Sequence, residues 1–230
     1  MIRITVLLFV FCSCLFADTI GIYKHAPIAD PECVEALVNV LVHDNKIVIL
    51  NHKTLTPEKL KEVDVLVFPG GMGDSDNFDK MLSDKKKIVR DYVYTGGKYV
   101  GICMGAYFAG SHYFNILGDT DAVQYIKRPK ADVKTEYATV VDVYWLTQKE
   151  KMYFYDGPAF VGGKLSHDVL ACYTNGDAAV IIKKYGQGVV LGIGPHLESQ
   201  EDWYEEKNLK KYWHKGQHHD MLRNIFQYLR

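Results

Sequence analysis

Lys98-Tyr99-Val100-Gly101-Ile102-Cys103-Met104-Gly105-Ala106-Tyr107 decides how this chain is read. An apolar run of strand character ends in a cysteine boxed by Gly101 and Gly105. That is the pattern of a nucleophile elbow, where a strand turns sharply into a helix. The turn demands backbone angles that only small neighbours tolerate, and it leaves the sulfur at its tip. The helix that follows aims its first amides at the sulfur, which favours a thiolate.

Moving upstream from the elbow, strands and helices alternate. Thr19-Ile20-Gly21-Ile22-Tyr23, Lys46 to Leu50, Val63 to Phe68 and Lys98 to Gly101 read as strands, the first of them buried. Between them, Asp30-Pro31-Glu32 opens a helix with Val34, Leu37, Val38 and Leu41 on its apolar face. Thr56-Pro57-Glu58 opens a short one, and Ser83 to Tyr94 forms another that Thr95-Gly96-Gly97 stops. This alternation predicts an α/β fold: an open, mostly parallel sheet with helices on both faces. Downstream, Ile116 to Ala159 is rich in β-branched and aromatic residues and reads as irregular or antiparallel additions, with Ala138 to Leu146 extended. Ala178 to Tyr185 and Val189 to Gly194, joined by Gly186-Gln187-Gly188, predict an antiparallel C-terminal hairpin, and Gln217 to Arg230 a closing helix.

Gly194-Pro195-His196-Leu197-Glu198 follows that hairpin. Thiol acyl transfer needs a nucleophile, a base, a group that orients the base, and donors for the oxyanion. Cys103, His196 and Glu198 supply the first three. Gly70 and Gly71 of Pro69-Gly70-Gly71 sit at the carboxyl end of a strand, where open α/β sheets place their ligands. The backbone amides of Gly71 and Met104 are candidate oxyanion donors. Taken singly, each feature has an ordinary reading: a packed thiol, an incidental His-x-Glu, a turn. Their common position at strand ends is what favours a site. The chemistry requires no metal and no organic cofactor.

The 230 residues carry a net charge of −1, which gives no basic surface for nucleic acid. Sixteen tyrosines point first to core and sheet packing. Met1-Ile2-Arg3, the apolar stretch Ile4 to Phe16, and Ala17 before Asp18 form the pattern of a signal peptide cleaved after Ala17. The run is short for a membrane span. The expectation is therefore residues 1–17 as signal and 18–230 as one exported domain, periplasmic or secreted. Leu15 is larger than the usual residue at its place, and Cys14 matches a lipid-attachment site poorly. Of five cysteines, Cys33, Cys103 and Cys172 remain after cleavage. Pairing Cys33 with Cys172 would leave Cys103 free. His214 and His218 have metal-ligand spacing on a helix, but Gly216 interrupts them, so a solvated helix start is expected. Trp203-Tyr204 and Tyr212-Trp213 read as core packing or as a pocket wall.

The order Pro69-Gly70-Gly71, Gly101-Ile102-Cys103-Met104-Gly105 and Gly194-Pro195-His196-Leu197-Glu198 resembles the class I glutamine amidotransferase-like superfamily, whose sheet is flavodoxin-like. Gly105-Ala106-Tyr107, Tyr155-Asp156-Gly157-Pro158-Ala159-Phe160 and Tyr185-Gly186-Gln187-Gly188 are similar to the amidotransferase-like domain at the N-terminus of some biotin–protein ligases, which also occurs alone. The resemblance spans about Thr19 to Arg230. It implies a Cys103, His196, Glu198 triad and a carbon–nitrogen amide substrate, either a small molecule or a peptide. Tyr107 stands where glutamine-using members carry a glutamine that helps form the substrate site, which makes it a candidate substrate-binding residue and leaves glutamine use open. Two other classes fit the same residues: a binding module that keeps the pocket without the reaction, and a thiol redox sensor at Cys103.

Overall fold

The computed structural model describes residues 17–72, 74–163, 169–205 and 208–229. The signal-peptide reading therefore lies, but for Ala17, outside the described residues. The first half alternates as β1 (Thr19–Tyr23), α1 (Pro31–Leu41), β2 (Lys46–Leu50), α2 (Pro57–Leu60), β3 (Val65–Phe68), α3 (Ser75–Met81), α4 (Lys86–Tyr94), β4 (Lys98–Ile102) and α5 (Met104–Phe108). Then come β5 (Thr120–Gln124), β6 (Thr139–Trp145), β7 (Gln148–Phe154), β8 (Pro158–Gly162) and β9 (Val169–Tyr173). The hairpin β10 (Ala178–Tyr185) and β11 (Gly188–Ile193) precedes α6 (Gln217–Tyr228).

The capping chemistry is as the sequence implies. Asp30 accepts from the Glu32 N–H and Thr56 from the Lys59 N–H, each with proline at the first helical position. Asp74 caps α3, a helix absent from the sequence reading.

Five strands run parallel in the order β2-β1-β3-β4-β11. Their central members are apolar almost without break because both faces are covered: every residue of β3 is buried. Helices α1 and α6 pack on each other, as do α2 and α4. From β11 the sheet continues antiparallel through β10, β9, β6 and β7, while β5 and β8 branch from β10. The residues between β4 and the hairpin thus build an antiparallel half onto the parallel one.

Register positions the site. Phe68 pairs with Gly101, Gly101 with Gly192, and Ile102 with Ile193. Three adjacent strands therefore end level, and the next residues are Pro69-Gly70, Cys103 and Gly194-Pro195-His196. The α5 helix docks against β3, β4 and β11. It can do so because residue 105 is glycine: a Cβ there would lie 2.0 Å from the Phe68 carbonyl oxygen. Beneath it, the Phe68 ring stacks on Tyr23 at 4.8 Å and on Tyr99 at 5.6 Å, which fixes the floor of the elbow.

Candidate active site

Cys103 occupies φ 50°, ψ −108°, outside the regions that residues with a Cβ favour. Such a conformation costs about 1–3 kcal/mol and persists only where neighbours impose it. Here the Cys103 N–H donates to Ile193 O at 2.9 Å, and Cys103 O accepts from the Ala106 and Tyr107 N–H groups. The Gly105 N–H donates to Pro69 O at 3.1 Å. Strand β11, helix α5 and the Pro69 turn hold the residue from three sides. Its thiol is buried and donates to Tyr155 O at 3.3 Å.

His196 leaves β11 through Pro195 and is pinned by its N–H to Tyr153 O at 2.9 Å. Its Nδ1 lies 2.8 Å from Glu198 Oε1, with the carboxylate fully buried. The Tyr153 and Trp203 rings stand edge-on to the imidazole at 5.9 and 5.6 Å. Burial alone would lower the imidazole pKa, but the Glu198 charge and the Cys103 and Cys33 sulfurs together hold it well above its ordinary value. With Nδ1 committed to Glu198, Nε2 is left for the thiols.

Cys33 is the residue that the sequence reading missed. It lies in the first turn of α1, whose start is drawn to the Pro69-Gly70-Gly71 turn by the Asp30 N–H donating to Gly70 O at 3.0 Å. Its sulfur lies close to the His196 imidazole, within 4.8 Å of its ligand nitrogen, and burial raises its pKa to about 11, so it remains a neutral thiol at physiological pH. The Cys33–Cys172 pairing left open by the cysteine count is not formed: both thiols are free, and Cys172 sits on β9 while Cys33 lies beside the imidazole. The inward-facing cysteine of a capped helix was visible in the sequence. Its neighbour was not, because that contact depends on strand order.

Ligand atoms of Cys33, His196 and Glu198 all lie within 4.8 Å of one another. A sulfur, a nitrogen and an oxygen donor form a set that divalent transition ions accept. Ligation at Nδ1 would displace the Glu198 hydrogen bond.

A cleft of about 460 Å³ opens over Cys103 and His196, lined among others by Gly71, Tyr153 and Trp203. A larger groove of about 650 Å³ between α2 and α4 shares no residue with it and holds no cysteine or histidine. Among the described residues, no intramolecular acceptor engages the Gly71 or Met104 N–H. Gly70 and Glu198 support His196 from behind, and Met104 is buried in α5. Tyr107 turns elsewhere: its hydroxyl donates to Asp156 O at 3.0 Å. Burial and the Asp156 charge raise its pKa far above the phenol range. It thereby anchors the loop whose preceding carbonyl, Tyr155 O, faces Cys103. Asp156 itself takes φ 48° and receives Gln124 Nε2 at 2.7 Å.

Gly216 does interrupt the histidine pair, with φ 79° before α6, but His218 is buried rather than solvated. Trp203 forms a wall of the cleft, whereas Tyr204 joins Tyr153 and Leu209 in a small separate core with Tyr212 and Trp213 at its margin.

Residues 25–129 match the family model described as "Biotin-protein ligase, N terminal". Comparison with curated proteins gives no match. Among solved structures, the chain is similar to PurLQS from Thermotoga maritima, with a TM-score of 0.64 and 14% identity over 94% of this chain and 100% of that one. A glutamine amidotransferase from Thermotoga maritima gives a TM-score of 0.61 and 14% identity, covering 92% and 97% of the two chains. An exo-β-1,4-mannosidase from Opitutaceae bacterium strain TAV5 gives 0.58 and 12% over 91% of this chain but only 36% of that one. At these identities the likeness is one of fold.

Proposed function

We propose that this chain, which has the class I glutamine amidotransferase-like fold and matches the biotin–protein ligase N-terminal family over residues 25–129, is a cysteine-dependent hydrolase or transferase of carbon–nitrogen amide bonds. One arrangement carries the reading. Cys103 is held at positive φ on a strand–helix elbow, beside an imidazole whose far nitrogen is bonded to Glu198.

The Cys103 thiol gives its proton to His196 and attacks the amide carbonyl. The Gly71 and Met104 N–H groups receive the negative charge that develops on oxygen. His196 returns the proton to the departing amine as the carbon–nitrogen bond breaks, which leaves a thioester on Cys103. Water, deprotonated by His196, then releases the acid, or an amine takes the acyl group. Glu198 holds the imidazole orientation and stabilises its charged form. The reading includes export through the segment 1–17, for which a mature chain beginning at Asp18 is the test.

The catalytic claim is tested by the rate of iodoacetamide alkylation of Cys103 between about pH 5 and pH 9, in reduced protein and in His196→Ala. Free cysteine titrates near pH 8.5, so reactivity below about pH 7 that vanishes with His196 supports the reading. Identical profiles at or above the free-cysteine value overturn it. They would favour a non-catalytic binding module, a second reading supported by Tyr107, whose hydroxyl is spent on the Asp156 carbonyl.

A further inference from the structure

We propose that the cleft over Cys103 selects amides carrying a positive charge beside the scissile group; this inference rests on the thiol-hydrolase reading above. Three carboxylates open onto the cleft, those of Asp30, Glu32 and Asp202. Glu32 and Asp202 are exposed, and Asp30 is half-buried. No lysine or arginine is among the described residues that line it. None of the three carboxylates has an ion-pair partner among the described residues, and Lys210 stands instead beside Glu201 and Glu205. One Asp30 oxygen takes the Glu32 N–H, which leaves its other oxygen for a ligand.

The carboxylates are a rim; the buried imidazole and thiol at its base do the chemistry. A cleft lined by one sign of charge between low-dielectric walls concentrates ligands of the opposite sign. Trp203 and Tyr155 add aromatic surface that attracts an ammonium or guanidinium group. A free amino acid such as glutamine brings a carboxylate beside its ammonium group, so the rim's attraction for one is offset by repulsion of the other, whereas an amide with a positive charge and no carboxylate is attracted without that offset. The substrate class that fits is an N-acyl amine or peptide amide with an ammonium or guanidinium group near the bond that breaks.

Three thiol probes of different charge test this at Cys103: 2-bromoethylamine, iodoacetamide and iodoacetate, at pH 6.5, each rate divided by that for a free-thiol peptide. Each probe forms a sulfur–carbon bond and expels halide. The expected result is a cation-over-anion preference of about tenfold at low salt. It should fade near 1 M salt, where the screening length is about 3 Å. In Glu32→Gln/Asp202→Asn the preference should drop at least about threefold, by the same field argument. Both residues are exposed, and Asp30 is spared because it caps α1.

The imidazolium at the base pulls the other way. Faster normalised labelling by iodoacetate, or a preference that survives the double substitution, overturns the proposal. The His196→Ala profile separates the two claims. Reactivity that depends on His196 without a cation preference sinks only the specificity. A cation preference without dependence on His196 sinks the catalytic reading and leaves a cation-selective binding cleft.

Discussion

Gly70 abuts His196 so closely that a Cβ on residue 70 would lie 2.7 Å from the imidazole Cε1 and 2.9 Å from Cys33 Sγ. Contacts of that kind are not tolerated, so Gly70→Ala must push the imidazole or the Cys33 thiol aside. Displacing a catalytic group by about 1 Å costs on the order of 100-fold in rate. Gly70→Ala is therefore expected to remain folded and to lose low-pH alkylation of Cys103. Circular dichroism and peptide mass spectrometry read the two outcomes. Unchanged reactivity would remove His196 from the activation of Cys103.

The two thiols at the imidazole should respond differently to pH. Burial raises Cys33 to about 11. Its alkylation by iodoacetamide should keep climbing above pH 9, with little label at neutral pH, because the thiolate is the reacting form. Peptide-resolved rates check this, and a plateau for Cys33 below pH 8 would contradict it.

Glu198 is expected to govern the His196 proton. The folded imidazole pKa is raised, so its contribution to stability is complete below the unfolded value of about 6.5 and is lost as pH rises through the folded value. In Glu198→Gln the charge is gone and burial pulls the imidazole down, so that alkaline loss should disappear. Breaking such a buried pair costs about 3 kcal/mol at neutral pH. Imidazole NMR shifts and urea unfolding from pH 6 to pH 10 measure both effects. An imidazole that titrates alike in the two proteins would exclude Glu198 as its partner.

His218 should weaken the fold in acid. Burial, then the neighbouring His214 and His219, lower its pKa to about 4. Glu150 Oε2 stands 3.8 Å from Nε2, too far for a hydrogen bond, so the carboxylate does not offset burial. The unfolded chain takes up a proton near pH 6.5 and the folded one does not. Stability is therefore intact above that pH and lost progressively down to about pH 4. One pKa unit corresponds to about 1.4 kcal/mol, so the loss approaches 3 kcal/mol. His218→Gln should flatten this slope in urea titrations at pH 7, 5.5 and 4, and an unchanged slope would assign the acid lability elsewhere.

Local patterns suffice to read the parallel half of the fold and to pick out Cys103, His196 and Glu198 as candidates. Those signals are local. Asp30-Pro31 and Thr56-Pro57 cap helices with their own side chains and ring geometry. The unbroken apolar runs at Val65–Phe68 and Lys98–Ile102 require a sheet covered on both faces. Gly101 and Gly105 around Cys103 announce a turn that no larger residue would fit. His196 and Glu198, two apart, carry their pairing with them. What surrounds those residues depends on the three-dimensional path of the chain. Cys33 reaches His196 because β1 and β4 flank β3, which brings the start of α1 to the end of β3. Tyr107 meets the Asp156 carbonyl, 49 residues away, through a contact that only the folded path creates. The acidic rim gathers Asp30, Glu32 and Asp202 from opposite ends of the chain. Caps and periodicities are set by neighbours a few bonds apart. A contact between distant residues depends on strand order and loop path, which no local pattern encodes.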